Sequence, residues 1–185
     1  IGWCKKCKNV QTMEIVRKAI LWNDYTYLSG QTKAIINHFR DIAHDSLKKI
    51  DLVKNDLAID IGSNDGTLLK FFKKFKMKTL GIDPASNVAK LANKNGIKNI
   101  IDYFNSNLAK KIEKKYGKAK IITCFNSFAH TSELNDIVLG IKKILHEDGI
   151  FIFECQYLGD IYKNKIIGTF FHEHIYHHSI TSLKH

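Results

Sequence analysis

The chain has 185 residues, of which 44% are hydrophobic and 25% charged, and a formal net charge of +11. That balance describes a globular domain large enough for its own core and excludes a disordered or fibrous chain. There is no run of about 18 apolar residues and no signal-peptide pattern, so nothing argues for membrane insertion or export, and a cytoplasmic location is expected.

Of the 29 basic residues, only Arg17 and Arg40 are arginine. Recognition of phosphates and base edges favours the planar, bidentate guanidinium. The charge therefore reads as a lysine-biased composition, and no nucleic-acid partner is expected. A weaker reading stays open, that the excess attracts a phosphorylated small substrate.

The chain begins at Ile1 and reaches a C-x-x-C almost at once, Cys4 and Cys7 in "GWCKKCKN". That start suggests a fragment whose N-terminus lies upstream. One such pair supplies two of the four ligands of a structural zinc, and there is no second pair. A thioredoxin-like redox role is disfavoured, because no helix follows the pair in a βαβ setting. As an isolated motif the pair points to half of a zinc site, and residues 13–55 read as a helical connecting segment.

From residue 56 the pattern is regular. "LAIDIG" (57–62) reads as a strand ending in glycine, "DGTLLKFFKKF" (65–75) as a helix and "KTLGID" (78–83) as a strand. "ASNVAKLANKNG" (85–96) follows as a helix and "IKNIID" (97–102) as a strand. A helix over Ser106–Tyr116, the strand "AKIITCF" (119–125), a helix from Ser132 to His146 and the strand "GIFIFE" (149–154) complete the series. Strands and helices that alternate in this way build a parallel sheet covered on both faces. The expected fold is doubly wound α/β, a Rossmann-like core over 56–156. Cys124 and Cys155 fall in apolar strand-like runs and are expected as buried free thiols.

Open α/β sheets bind ligands at the carboxyl ends of their strands, beside the switch in strand order. The first strand ends in "DIGSNDG". A dinucleotide fingerprint needs glycine at 62, 64 and 67, which are Gly62, Asn64 and Thr67. The better fit is D-x-G-x-N-x-G, with Asp60, Gly62, Asn64 and Gly66, in which asparagine tolerates the left-handed turn that glycine would otherwise supply. Asp83, about 20 residues on, ends the second strand where a carboxylate accepts both hydroxyls of a ribose. A loop with an acidic start and no third glycine suits an adenosine ligand without a pyrophosphate, which is S-adenosylmethionine. Asn126, after the fourth strand, is expected to close the adenine side.

"LAIDIGSNDGTLL", "GIDPA", "FNSFAHTSEL", "FECQYL" and "FFHEHIYHHSITSL" together resemble the C-methyltransferases of nucleotide-linked deoxysugars, and the resemblance covers nearly the whole chain. It implies a small four-cysteine zinc domain, a class I S-adenosylmethionine-binding core and a C-terminal domain in series. Residues 1–12 would be the remnant of that zinc-binding domain, with Cys4 and Cys7 the second of its two pairs, so only half of the zinc site is present. Residues 157–185 would be a catalytic histidine-rich segment, the core being truncated before its last strands and the C-terminal domain absent. "YTYLSG" (25–30) would border the sugar.

The stretch "GTFFHEHIYHHS" (168–179) holds His172, His174, His177 and His178. A metalloprotease H-E-x-x-H would need histidine at 176, which is Tyr176. His172 and His174 could share one strand face and ligate a metal, but no Asp or Cys with matching spacing lies nearby. An exposed bystander patch is the bland alternative. Proton transfer is favoured, because a carbon next to a ketone becomes a nucleophile on losing a proton, and imidazole suits that task. The resemblance assigns the base to His174 with Glu173 alongside, and it departs at Phe171, where the family has tyrosine. His130 in "FNSFAH" is a secondary candidate, while His177 and His178 are expected to face solvent or the absent domain. The expected activity is C-methylation of a nucleotide-linked 4-keto-deoxysugar through an enolate. The rival readings are a small-molecule O- or N-methyltransferase and a non-catalytic S-adenosylmethionine-binding module in polysaccharide biosynthesis.

Overall fold

A computed structural model describes residues 1–185. The chain runs β1 (Gly2–Trp3), β2 (Val10–Gln11), α1 (Lys18–Trp22), α2 (Lys33–Leu47), β3 (Leu57–Ile61), α3 (Thr67–Lys74), β4 (Lys78–Ile82), α4 (Ser86–Lys94) and β5 (Asn99–Ile100). It continues through α5 (Ser106–Tyr116), β6 (Ala119–Phe125), α6 (Leu134–Ile144), β7 (Leu145–Glu154), α7 (Leu158–Lys163), β8 (Tyr176–His177) and α8 (Ile180–Leu183). Five strands form a parallel sheet in the order β5-β4-β3-β6-β7. The chain moves outward from β3 to β5 and then crosses back to β6, so the order reverses beside β3. That is the doubly wound arrangement expected from the sequence.

Alternation along β3 explains how both faces are filled. Leu57, Ile59 and Ile61 belong to a core built with Leu108, Ala109 and Ile112 of α5 and Ile137, Ile141 and Ile144 of α6. Ala58 faces a second core with Phe39 and Ala43 of α2 and Leu68, Leu69 and Phe72 of α3. A strand sends successive side chains to opposite faces, so one five-residue strand serves both layers. Burying a side chain such as Leu69 or Phe72 contributes about 1.5–3 kcal/mol each. The segment before the core is therefore part of the sheet's cover, because α2 supplies one of its faces.

Helix ends follow local chemistry. Asn105 caps α5 by accepting the Leu108 N–H at 2.8 Å, and Gly117, at φ +83°, ends it. Helix α6 starts at Leu134 and not at Ser132, because the Thr131 hydroxyl accepts the Glu133 N–H at 3.0 Å and holds the preceding residues in a turn. The strand expected over 97–102 is only Asn99–Ile100, since just Gly81 and Ile82 of β4 pair with it. Conversely β7 begins at Leu145, with a bulge before the regular pairing from Ile150 onward.

A second, antiparallel sheet runs β1-β2-β8. Val10 pairs with His177 and Gln11 with Tyr176, so the histidine-rich stretch is tied to the cysteine-bearing hairpin. On its other side the Ile175 N–H donates to the Ala129 carbonyl, in the loop after β6. The stretch is thereby held beside the carboxyl edge of the main sheet.

Candidate functional site

A cavity of about 630 Å³ lies at the carboxyl ends of the parallel strands, within the roughly 300–1,000 Å³ typical of small-molecule sites. Its floor is the turn after β3. Gly62, Asn64 and Gly66 all have positive φ, +74°, +50° and +77°. At Gly62 a Cβ would collide with the Ser127 hydroxyl, so glycine is needed both for the backbone and for the close approach. The Asn64 N–H donates to Asp83 Oδ2 at 2.8 Å and the Ala85 N–H to Asp83 Oδ1 at 2.9 Å. Each carboxylate oxygen of Asp83 keeps a lone pair for a ligand.

The side chain of Asn64 holds the roof instead of the floor. Its Oδ1 accepts the Ser29 N–H at 3.1 Å, and its Nδ2 donates to the Tyr27 carbonyl at 2.9 Å. Asn87 does the same for Tyr25, accepting its N–H at 3.2 Å and donating to its carbonyl at 2.8 Å. Gly30 N–H donates to Asp65 Oδ2 at 2.9 Å. Three polar side chains thus strap residues 25–30 over the turn, bringing Tyr25, Tyr27 and Ser29 into the cavity wall.

Although the protein is strongly basic, this cavity is lined by acids. Asp60, Asp83, Asp102, Glu133 and Glu154 border it, against Arg17 and Lys18, and Lys18 is paired with Glu133 at 2.9 Å. Burial raises the Asp60 carboxyl to about 7; the Thr123 hydroxyl donating at 2.7 Å opposes the rise and the neighbouring charge of Asp83 adds to it. Burial also raises Asp83, with the N–H groups of Ala85 and Asn64 opposing. Such a lining favours a cationic ligand.

Of the residues expected from sequence to hold a cofactor, Asp60, Gly62, Asn64, Asp83 and Asn126 line the cavity. Gly66 does not; it caps α3. Asn126, at φ +51°, donates its amide to Glu154 Oε1 at 3.0 Å. His174 and Glu173 stand next to the lining and not in it, while His130 and Ile175 are part of it. His130 is sandwiched between Trp22 and His174, its ring 5.0 Å from each.

His174 Nδ1 lies 2.9 Å from the Thr169 carbonyl. A carbonyl only accepts, so Nδ1 carries the hydrogen and Nε2 holds the free lone pair. Phe171 packs its ring 4.3 Å from that of His174 and offers it only apolar contact. Glu173 is close enough to Tyr25 to help raise its phenol, after burial as the main cause.

Residues 171–173 form a bend and turn with strand pairing only from Tyr176, so His172 and His174 do not share a strand face. One sequence expectation is corrected in this stretch. His177 and His178 do not face solvent: both are 1% exposed. The pairing of β8 with β2 and the bridge between His178 and Tyr157 pull them inward. Both ring nitrogens of His177 lack partners, and burial lowers its pKa to about 4, helped by His174 and His178. His130 is lowered to about 4 for the same reasons, burial first and His174 second.

Cys124 is buried as expected, whereas Cys155 is half-buried, because it follows the last paired residue of β7. Cys4 and Cys7 sit in the β1–β2 turn, where the Cys7 N–H donates to Cys4 Sγ at 3.5 Å and is the main cause lowering that thiol's pKa. The turn suits two corners of a tetrahedral zinc site. No group of three or more His, Cys, Asp or Glu side chains is placed to hold a metal ion, so the residues present do not complete one. No helix is long and apolar enough to cross a membrane.

Sequence reasoning missed Trp22, Glu154 and His38, which donates to Glu154 Oε2 at 2.6 Å. A lone aromatic and isolated polar residues carry no local pattern that would have singled them out.

A family model described as a methyltransferase domain matches residues 36–185. The C-methyltransferase NovU of Streptomyces niveus is 30% identical over 180 residues, 97% of this chain, and the chain spans 43% of that protein's length. Among solved structures, the complex of the Haloferax volcanii Trm112 methyltransferase activator with a methyltransferase matches with a TM-score of 0.62 and 12% identity, over 84% of this chain and 69% of that one. The plantazolicin methyltransferase BpumL, in complex with SAH, matches with a TM-score of 0.52 and 17% identity, over 69% of this chain and 48% of that one. At those identities the structures speak for the fold.

Proposed function

The chain belongs to the methyltransferase-domain family, and from that premise we propose that it is the S-adenosylmethionine-binding, catalytic part of a C-methyltransferase. The acceptor is a carbon next to the keto group of a nucleotide-linked 4-keto-deoxysugar. The likeness to a C-methyltransferase along nearly the whole chain supports a carbon acceptor. The acid-lined cavity supports a cationic donor, and the aromatic wall of Trp22, Tyr25 and Tyr27 suits a sugar ring.

The observation that carries the reading is the orientation of His174. Its Nδ1–H is fixed by the Thr169 carbonyl, so Nε2 is available as a base beside the cavity wall. When bound, S-adenosylmethionine supplies a methyl group on a positively charged sulfur. Asp83 accepts the ribose hydroxyls, while Asp60, Gly62, Asn64 and Gly66 shape the turn beneath, and Asn126 closes the cavity from the β6 end. His174 Nε2 would take the proton from the acceptor carbon, the C–H electron pair passing into an enolate. That carbon would form the new bond to the methyl as the methyl–sulfur bond breaks, its electron pair staying on sulfur so that the neutral thioether S-adenosylhomocysteine leaves. The proton leaves His174 for solvent. His130, held neutral by burial, adds no second positive charge beside the imidazolium. Positioning of the two reactants supplies much of the rate. Cys4 and Cys7 would supply two of the four ligands of a structural zinc site.

The test is product analysis. Incubation with S-adenosylmethionine and a nucleotide-linked 4-keto-deoxyhexose should yield a new carbon–carbon bond, seen by NMR as a C-methyl group. A methyl on oxygen or nitrogen would replace this reading with the O- or N-methyltransferase. Cofactor binding without turnover on any acceptor would favour the binding module.

A further inference from the structure

Glu154 and His38, to which the mechanism above gives no role, form a cluster with Asn126 at the cavity wall. Glu154 is the last residue of β7 and lines the cavity beside Asn126. Its Oε2 accepts from His38 Nε2 of α2 at 2.6 Å, and its Oε1 accepts from Asn126 Nδ2 at 3.0 Å. The Asn126 N–H also donates to the Glu154 carbonyl at 2.8 Å. Asn126 keeps a left-handed backbone, φ +51°, at this point, and such strain persists where surroundings over-determine it, often at ligand sites. A carboxylate gripped on both oxygens by residues of two other elements is oriented, yet each oxygen retains a lone pair.

Its place along the sheet says what it faces. From Asp83, at the end of β4, to Glu154 the chain order crosses β3 and β6, three strand steps of roughly 4.8 Å or about 14 Å in all. A ribose held at Asp83 lies only a few bonds from the sulfonium of S-adenosylmethionine. The proposed base His174 stacks on His130 in the loop after β6, so the sulfonium must run from Asp83 toward β6 and the adenine away from Asn126, contrary to the placement expected from sequence. Glu154, one strand further on, then lies beyond the transferable methyl, on the acceptor's side.

We infer that Glu154, clamped by Asn126 and His38, binds a hydroxyl of the methyl acceptor and fixes how a polyhydroxylated acceptor lies against the cavity. The inference rests on the function proposed above and assigns Glu154 a specificity role in it. His38 is a positioning residue that acts through Glu154.

Calorimetry on the SAH-saturated protein, titrated with a nucleotide-linked 4-keto-deoxyhexose, reads this subsite without turnover. Glu154→Gln should weaken binding of that sugar nucleotide roughly 10- to 100-fold, the range for a lost hydrogen bond to a charged group, and leave SAH affinity unchanged. His38→Ala should weaken it less, and His38→Asn, which restores an N–H to Glu154, should recover part of the loss. Equal binding by wild type and Glu154→Gln, weakened SAH binding in Glu154→Gln, or no binding of the sugar nucleotide to wild type would each overturn the inference. Wild type that binds the sugar nucleotide but forms no C-methyl product would instead overturn the proposed function and leave the subsite standing.

Discussion

His130 and His174 lie face to face, their ring centroids 5.0 Å apart and their planes 22° from parallel. One belongs to the cavity wall and is kept neutral by burial; the other has its tautomer fixed by a backbone carbonyl. The pair gives the site one imidazole able to accept a proton and a neighbour that stays uncharged.

If His174 is the base, His174→Gln should keep cofactor affinity while lowering turnover by roughly 10²–10⁴. Exchange of the acceptor's alpha hydrogen with deuterated water should fall in parallel. Normal exchange and methylation by His174→Gln would remove it from that role.

Asp83→Asn should weaken S-adenosylmethionine binding by about 1.5–3 kcal/mol, the scale of hydrogen bonds to a charged group. Because Asp83 also accepts the N–H groups of Asn64 and Ala85, Asp83→Ala should cost thermal stability as well. Calorimetry with a parallel melting curve separates the two effects, and unchanged affinity in both variants would mean that the ribose binds elsewhere.

Gly62→Ala should abolish measurable cofactor binding, since the new methyl meets the Ser127 hydroxyl. In the double variant with Ser127→Gly the collision is relieved, but the positive φ still costs roughly 1–2 kcal/mol. Partial recovery of binding in the double variant is the expected result; none at all would mean that Ser127 itself contacts the ligand.

Buried His177 makes folding sensitive to acid. Its folded pKa is lowered to about 4 from an ordinary 6.5, so the unfolded chain binds the extra proton between those values. Its contribution is complete above about 6.5 and is lost as pH falls toward 4. Asp60, raised to about 7 from 3.8, has the opposite slope, because there the folded state holds the proton. The useful quantity is therefore the difference between wild type and His177→Phe. Urea midpoints from pH 7 to pH 4 should fall more steeply for wild type, and parallel curves would show that His177 is protonated equally in both states.

Much of the fold was legible because its signals are local. Short apolar runs such as "LAIDI" and "AKIITCF" and helical spacing such as "TLLKFFKK" state their own conformation, and short connections leave few ways to order them. The turn Asp60–Gly66 and the carboxylate of Asp83 were legible for the same reason, since a strand end followed by residues that tolerate positive φ is a local pattern.

What the sequence determined by itself was the order of strands and helices, the glycine-bearing turn and the kinds of chemical group available. Only the tertiary structure decided which groups meet. The burial of His177 depends on a two-residue strand pairing with Val10 and Gln11, and no two-residue pattern announces itself. Asn64 was read for its backbone, yet its side chain holds Tyr27 and Ser29, at separations of 37 and 35 residues. His38 and Glu154 are 116 residues apart and touch at 2.6 Å. Such contacts arise when the sheet brings distant strand ends to one edge and α2 packs across its face; they are set by the packing of whole elements, which no short stretch of sequence encodes.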